Sequence, residues 1–417
     1  MGGSKMDIAT KVDAGRSSAV QKATYALVLL VVILMPIIFQ GFGQLFMVRI
    51  LAVVGLYVML ALGLNIVVGY AGLLDLGYIA FYAIGAYAGV LSGLPFSQFL
   101  AKTFPSIPWL PGISYFVMIP VAMIAAAITG ICLGTPVLRL RGDYLAIVTL
   151  GFGEIVRICL NNNIFGLSNG AAGLPKAGEV MPKPAGLDWL QNTLYVQVPN
   201  IGPNGFNFTF SNNVYWYYVI VIFCLLTIFV VRRLDNSRLG RSWTAMREDE
   251  VAASSMGVNI TGAKLYAFSL GAMWGGIAGI TFANFQGFVS PESFTFMESV
   301  FVVSIVVIGG MGSIPGAIVG ALFIQGIPEF IRGAAQAGWL EVIGINLSAE
   351  AQSAVSNYRY LVFGFLMVLM MAIRPQGIIP SKRRARELHP DDEKMLDESN
   401  ETLFDAQHDT AIPGEDL

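Results

Sequence analysis

Residues 46–68 read FMVRILAVVGLYVMLALGLNIVV, an apolar run interrupted by one cation, Arg49, and one amide, Asn65. A helix needs about 20 mostly apolar residues to cross about 30 Å of hydrocarbon. This run meets that length, and similar runs occupy much of the chain. Candidate spans fall at 25–41, 46–68, 78–94, 113–138, 144–160, 214–231, 263–285, 299–314, 316–331 and 358–373. The fold class expected is all-α: a polytopic membrane protein of about ten transmembrane helices.

Composition agrees. Apolar residues make up 55% of the 417 and charged residues 12%, with a mean hydropathy of +0.66. A soluble domain carries about 25% charged residues, so lipid must solvate much of this surface. The formal net charge of -2 points to no nucleic-acid partner. Cys132, Cys159 and Cys224 lie in separate apolar stretches without metal-knuckle or redox spacing. His389 and His408 stand in the polar tail, which excludes histidine chemistry and histidine metal ligation inside the membrane.

Basic residues segregate along the chain. Lys5, Lys11, Arg16 and Lys22 precede the first run, and Arg139 and Arg141 follow the fourth. Arg232, Arg233, Arg238, Arg241 and Arg247 follow the sixth, and Lys382, Arg383, Arg384 and Arg386 follow the last. Cytoplasmic connections carry the excess of Lys and Arg, so both termini are expected in the cytoplasm of a bacterial inner membrane. The first run lacks a small-x-small cleavage site and is expected to remain as a span. The resulting layout has a cytoplasmic segment 1–24, a transmembrane domain 25–374 and a polar cytoplasmic tail 375–417. Within the domain, 161–213 is a long periplasmic loop and 232–262 a cytoplasmic loop. The tail is acidic, without apolar period, and is expected to be disordered.

Glycines cluster inside spans. Gly271, Gly275 and Gly279 fall four apart, the spacing that lets helices approach closely in lipid. The run 309–316, GGMGSIPG, is too breakable for one straight helix and is expected to be a turn or an unwound element lining the interior.

Polar groups at membrane depth carry the functional signal, because a charge there costs at least about 2.5 kcal/mol. Asn65, Gly69 and Asp75 sit at and beyond the end of the second span, and Gly309, Gly310 and Gly312 fall at the glycine run. Glu154, the only carboxylate well inside an expected span, stands three residues before Arg157 and can pair with it. These residues are the candidate translocation path. Arg49, near a span edge, is expected to snorkel. There is no GxxxxGK[ST], HExxH or CxxC motif. The chain is therefore expected to be no enzyme, to bind no cofactor or metal, and to depend on an engine elsewhere.

The segment 240–257, GRSWTAMREDEVAASSMG, is the candidate contact with that engine. Residues 245–256 are helix-permissive and Gly257 suits a helix C-terminal cap. A short helix with mixed charge on one side and small residues on the other suits a groove in a soluble partner.

This segment, together with 62–77 (LGLNIVVGYAGLLDLG), 141–155 (RGDYLAIVTLGFGEI) and the glycine run, resembles the binding-protein-dependent ABC permeases of the branched-chain amino acid family, of the LivM kind. The resemblance implies a helical bundle like that of the vitamin B12-type importers. It also implies a second permease subunit, two ATPase subunits that use ATP, and a periplasmic substrate-binding protein. By this resemblance 247–257 is the coupling helix, matching EAAxxxG, with Arg241, Arg247, Glu248, Asp249, Glu250, Ala252, Ala253 and Gly257 as its coupling residues. Val251 stands where the motif has glutamate, with Glu250 one place earlier. Similar permeases carry urea or short amides, and an ion-coupled transporter or channel acting alone is the other alternative.

Overall fold

The apolar runs fold as helices whose ends are set by short polar side chains and by glycine. The computed structural model describes residues 26–40, 44–105, 113–137, 140, 142–164, 166–175, 196–198, 206–208 and 212–330, then 364–365, 367–370, 372–374 and 377–379. Helix α1 is Ala26–Gln40. The next four are α2 (Leu45–Asn65), α3 (Ile79–Thr103), α4 (Ile113–Val137) and α5 (Asp143–Asn161). After them come α6 (Asn212–Asp235), the short pair α7 (Arg238–Glu248) and α8 (Glu250–Ser255), and α9 (Ile260–Gln286). The last described helices are α10 (Phe296–Gly309) and α11 (Ile314–Ala321). Single π-helical turns, Ile66–Tyr70 and Leu322–Gly326, continue α2 and α11. Two small antiparallel ladders decorate the bundle, β1 (Leu174–Pro175) with β4 (Phe288–Val289) and β2 (Val196–Val198) with β3 (Phe206–Phe208).

Seven described helices are long and apolar enough to cross a membrane, and Ala26–Gln40 and Ile314–Phe330 are shorter apolar helices. The chain is an all-α polytopic membrane protein. The expected tenth span, 358–373, lies largely outside the described residues, with helical positions at 364–365, 367–370 and 372–373. Residues 1–24, the tail from 380, and Arg139 and Arg141 also lie outside them.

Three expected boundaries move. Helix α3 runs on through Pro95 to Thr103, past the expected stop at 94. Helix α10 ends at Gly309 rather than 314, because Gly310 (φ 122°) and Gly312 (φ 76°) adopt backbone conformations that no helix continues. Helix α11 then starts at Ile314 with Pro315 in its first turn, where a missing N–H leaves no broken bond. The helix expected over 245–256 is broken at Asp249 (φ −154°, ψ 114°). Its carboxylate accepts from the N–H groups of Val251 (2.7 Å) and Ala252 (2.9 Å), which makes it the N-cap of α8.

Helix α9 forms the centre of the bundle. A Cβ at Gly276 would meet the Ala122 carbonyl at 2.6 Å, and one at Gly85 would run into the Gly276 main chain. Gly271 and Gly279 face Val67 and the Tyr82 carbonyl. Association without a hydrophobic driving force in lipid rests on such close approach. Ile124, Ile128, Ile155, Ile222 and Phe229, on α4, α5 and α6, are exposed as a lipid-facing surface requires.

Candidate functional site

Asn65, wholly buried, closes α2, and its Oδ1 accepts from the Gly312 N–H at 2.9 Å. The π turn that follows carries Gly69, whose carbonyl accepts from Arg247 Nη1 at 2.7 Å. Only glycine fits at 69, since a Cβ there would collide with the Asn65 side chain and stand 2.6 Å from the Gly312 nitrogen. Gly72 (φ 70°) packs on the Arg247 methylenes. A continuous line of contact therefore runs from Arg247 through Gly69 and Asn65 to the turn between α10 and α11. Farther along the chain, Ile378 and Ile379 donate their N–H groups to the carbonyls of Ile308 (2.8 Å) and Gly309 (3.0 Å). The sequence placed Asn65, Gly69, Gly309, Gly310 and Gly312 separately, and the fold brings them together.

Asp75 lies fully buried in the connection between α2 and α3. Its Oδ1 accepts from the Gly77 N–H at 2.8 Å, and its buried Oδ2 has no hydrogen-bond partner. Burial pushes its pKa up to about 7, against a partial lowering by the Gly77 N–H. Leu76 N–H donates to Thr149 Oγ1 at 3.0 Å, fastening this connection to α5.

The α7–α8 segment is anchored from below. Trp243, fully buried, donates Nε1–H to the Ala263 carbonyl at 2.8 Å. Lys264, also buried, pairs with Glu250 at 2.6 Å. In α8 only Ala253 is buried. Val251, Ala252, Gly257 and Met256, the last 85% exposed, point outward. Gly257 (φ 85°) ends the helix, with its own N–H on the Ser254 carbonyl and that of Val258 on the Ala253 carbonyl. Arg241, Glu248 and Asp249 are exposed. Of the expected coupling residues, Arg247, Glu250 and Ala253 face their own chain.

Glu154 forms the expected pair with Arg157 (2.9 Å), which also reaches Glu292 at 3.6 Å. The pair ties α5 to the 3-10 turn Pro291–Phe294.

At the opposite end of α2 a cavity of about 530 Å³ opens between α2, α9, α10 and the continuation of α11. Arg49 and Gln286 stand at its mouth, where Nη2 of Arg49 donates to Gln286 Oε1 at 3.0 Å and the guanidinium lies 5.8 Å from the Phe285 ring centre. Arg49 is exposed near this end of α2, its guanidinium resting on Gln286 and the Phe285 ring. Deeper, Tyr57 donates to Glu298 Oε2 at 2.5 Å, beside Leu56, Leu60 and Ile79. Glu298 escaped notice because the span was drawn from 299, although a carboxylate heading the apolar run 296–308 was a usable signal.

The bundle thus carries a polar cavity at one end of α2 and an exposed helical loop at the other. The family described as branched-chain amino acid transport system, permease component, matches residues 46–371, and the chain belongs to it. It is 42% identical over 341 residues to the high-affinity branched-chain amino acid transport system permease protein LivM of Salmonella typhimurium, covering 79% of this chain and 68% of that one. Its identity to the LivM of Escherichia coli is also 42%, over 333 residues, with the same coverage. LivH of Escherichia coli, a permease protein of a system with the same description, is 32% identical over 166 residues, 40% of this chain and 46% of its own. No solved structure matches.

Proposed function

We propose that this chain is one of two permease subunits of an ATP-driven importer for branched-chain amino acids, with the translocation path running along α2 from the Arg49 end to the Gly69–Gly77 end. LivM and LivH relatives are each described as permease proteins of a branched-chain amino acid transport system, which supports a paired permease. In this reading the loop 232–262 faces the cytoplasm, both termini lie there, and the cavity opens toward a periplasmic binding protein. ATP is used by separate ATPase subunits, and no cofactor sits on this chain.

The observation that carries the proposal is the contact of Arg247 with Gly69. It links the exposed α7–α8 segment to the turn that meets Asn65 and Gly312, so a push on α8 reaches the inner end of the path without a break in packing. The outward Val251 and Met256 give a soluble subunit apolar purchase. Met256→Cys tests it in the assembled transporter. The cysteine should react with impermeant reagent only from the cytoplasmic side and cross-link to an ATPase subunit. Labelling from the periplasmic side would overturn the orientation.

A further inference from the structure

The cavity of about 530 Å³ lies within the range of about 300–1,000 Å³ typical of small-molecule sites. Its chemistry is amphoteric. Arg49 stands at the mouth and a second carboxylate, Glu329, also lines the cavity; eight residues along α2, about 12 Å at 1.5 Å per residue, Tyr57 orients the half-buried carboxylate of Glu298. Val53, Leu56, Leu60, Ile79 and Phe282 supply apolar wall between and around them. A carboxylate in the membrane half of a bundle is costly to keep. A neutral cargo gives no return for that cost, whereas a cargo bearing an ammonium group does.

Resting on the transport reading above, we infer that this cavity is a low-affinity site for the zwitterion of an aliphatic amino acid, with Glu298, aimed by Tyr57, reading the ammonium group and Arg49 drawing the carboxylate in at the mouth. The aliphatic side chain lies against Leu60 and Ile79. A neutral amide or urea finds no reward for either charge, so the site separates amino acids from the amide-type cargo of similar permeases.

The test uses the detergent-solubilised assembly of permease and ATPase subunits without binding protein, carrying Val53→Cys. Thiol labelling above the level of the native chain is followed with four ligands of one shape: L-leucine, 3-methylbutylamine, 4-methylpentanoate and 4-methylpentanamide. At one common concentration, ten times the Kd of leucine, leucine should slow labelling about tenfold, the amine should also slow it, and the carboxylate and amide should not. Glu298→Gln should abolish protection by both, whereas Tyr57→Phe, which keeps the charge, should weaken it. Equal protection by the neutral amide, or full protection in Glu298→Gln, would overturn the inference. The ligand comparison needs only the Val53→Cys chain, so misfolding of the other variants leaves it decisive. ATP-driven leucine uptake by the native assembly is measured beside it: its presence without zwitterion-selective protection defeats this inference alone, and its absence defeats the transport reading.

Discussion

Arg247 donates a hydrogen bond of 2.7 Å to the main-chain carbonyl of Gly69, across a sequence separation of 178 residues. The contact joins the exposed α7–α8 segment to the π turn that ends the second helix. A main-chain acceptor in a π turn is a sensible place to deliver force, because such turns carry an irregular ladder and mark functional sites more often than plain helix does.

Removal of this contact should uncouple the transporter. A hydrogen bond from a charged donor contributes about 1.5–3 kcal/mol, and about 1.4 kcal/mol is a factor of ten in rate. Arg247→Ala should therefore lower leucine uptake per ATP hydrolysed by about tenfold while ATP hydrolysis persists. Arg247→Lys, a point charge without the planar fork, should fall between. Parallel assays of hydrolysis and uptake in proteoliposomes check this.

Lys264 is buried and Glu250 neutralises it. Breaking a buried pair by removing one partner costs about 3–5 kcal/mol. Glu250→Gln should lower the thermal midpoint of the purified chain markedly, and adding Lys264→Met should restore most of it. A double variant no better than the single would contradict the pairing role.

Asp75 makes stability depend on pH. Its folded pKa, about 7, lies above the ordinary value near 3.8. Between those values the unfolded chain has released the proton that the folded chain retains, so stability falls as pH rises from about 4 to about 7 and then levels off. Asp75→Asn should flatten that slope in thermal denaturation measured across the same window.

Close backbone packing makes Gly85 intolerant. A Cβ there would enter the main chain of Gly276, which cannot move aside like a flexible side chain. Gly85→Ala should destabilise the bundle by about 1–3 kcal/mol, read as a lower midpoint in detergent, whereas Gly151→Ala, with open space around it, should cost far less.

Hydropathy made the helices legible, because a run such as 46–68 admits no soluble alternative, and glycine spacing marked α9 as a packing helix. Boundaries were harder where the deciding signal was conformational. Gly310 and Gly312 end α10 through positive φ, Pro315 opens α11, and Asp249 splits one expected helix by capping the second. The cluster of Asn65, Gly69 and Gly312 was named residue by residue but not as a unit, since only tertiary packing puts positions 65 and 312 within hydrogen-bond reach. Glu298 and Arg49 were missed as a pair for the same reason. Each sits near a helix end, where a charge ordinarily finds water or headgroups, and nothing local says that α2 and α10 turn them toward one cavity. Glu250, one place before Val251, pairs with Lys264 within the chain, a contact that local sequence does not announce.

The central claim is that this chain supplies a passage and takes its drive from outside, through Arg247 and Gly69. The most direct measurement is leucine uptake into proteoliposomes holding both permease subunits and the binding protein, with and without the ATPase subunits. Uptake that requires the ATPase subunits and ATP, and ignores imposed ion gradients, is the predicted result. Uptake driven by a proton or sodium gradient with the ATPase subunits left out would contradict it.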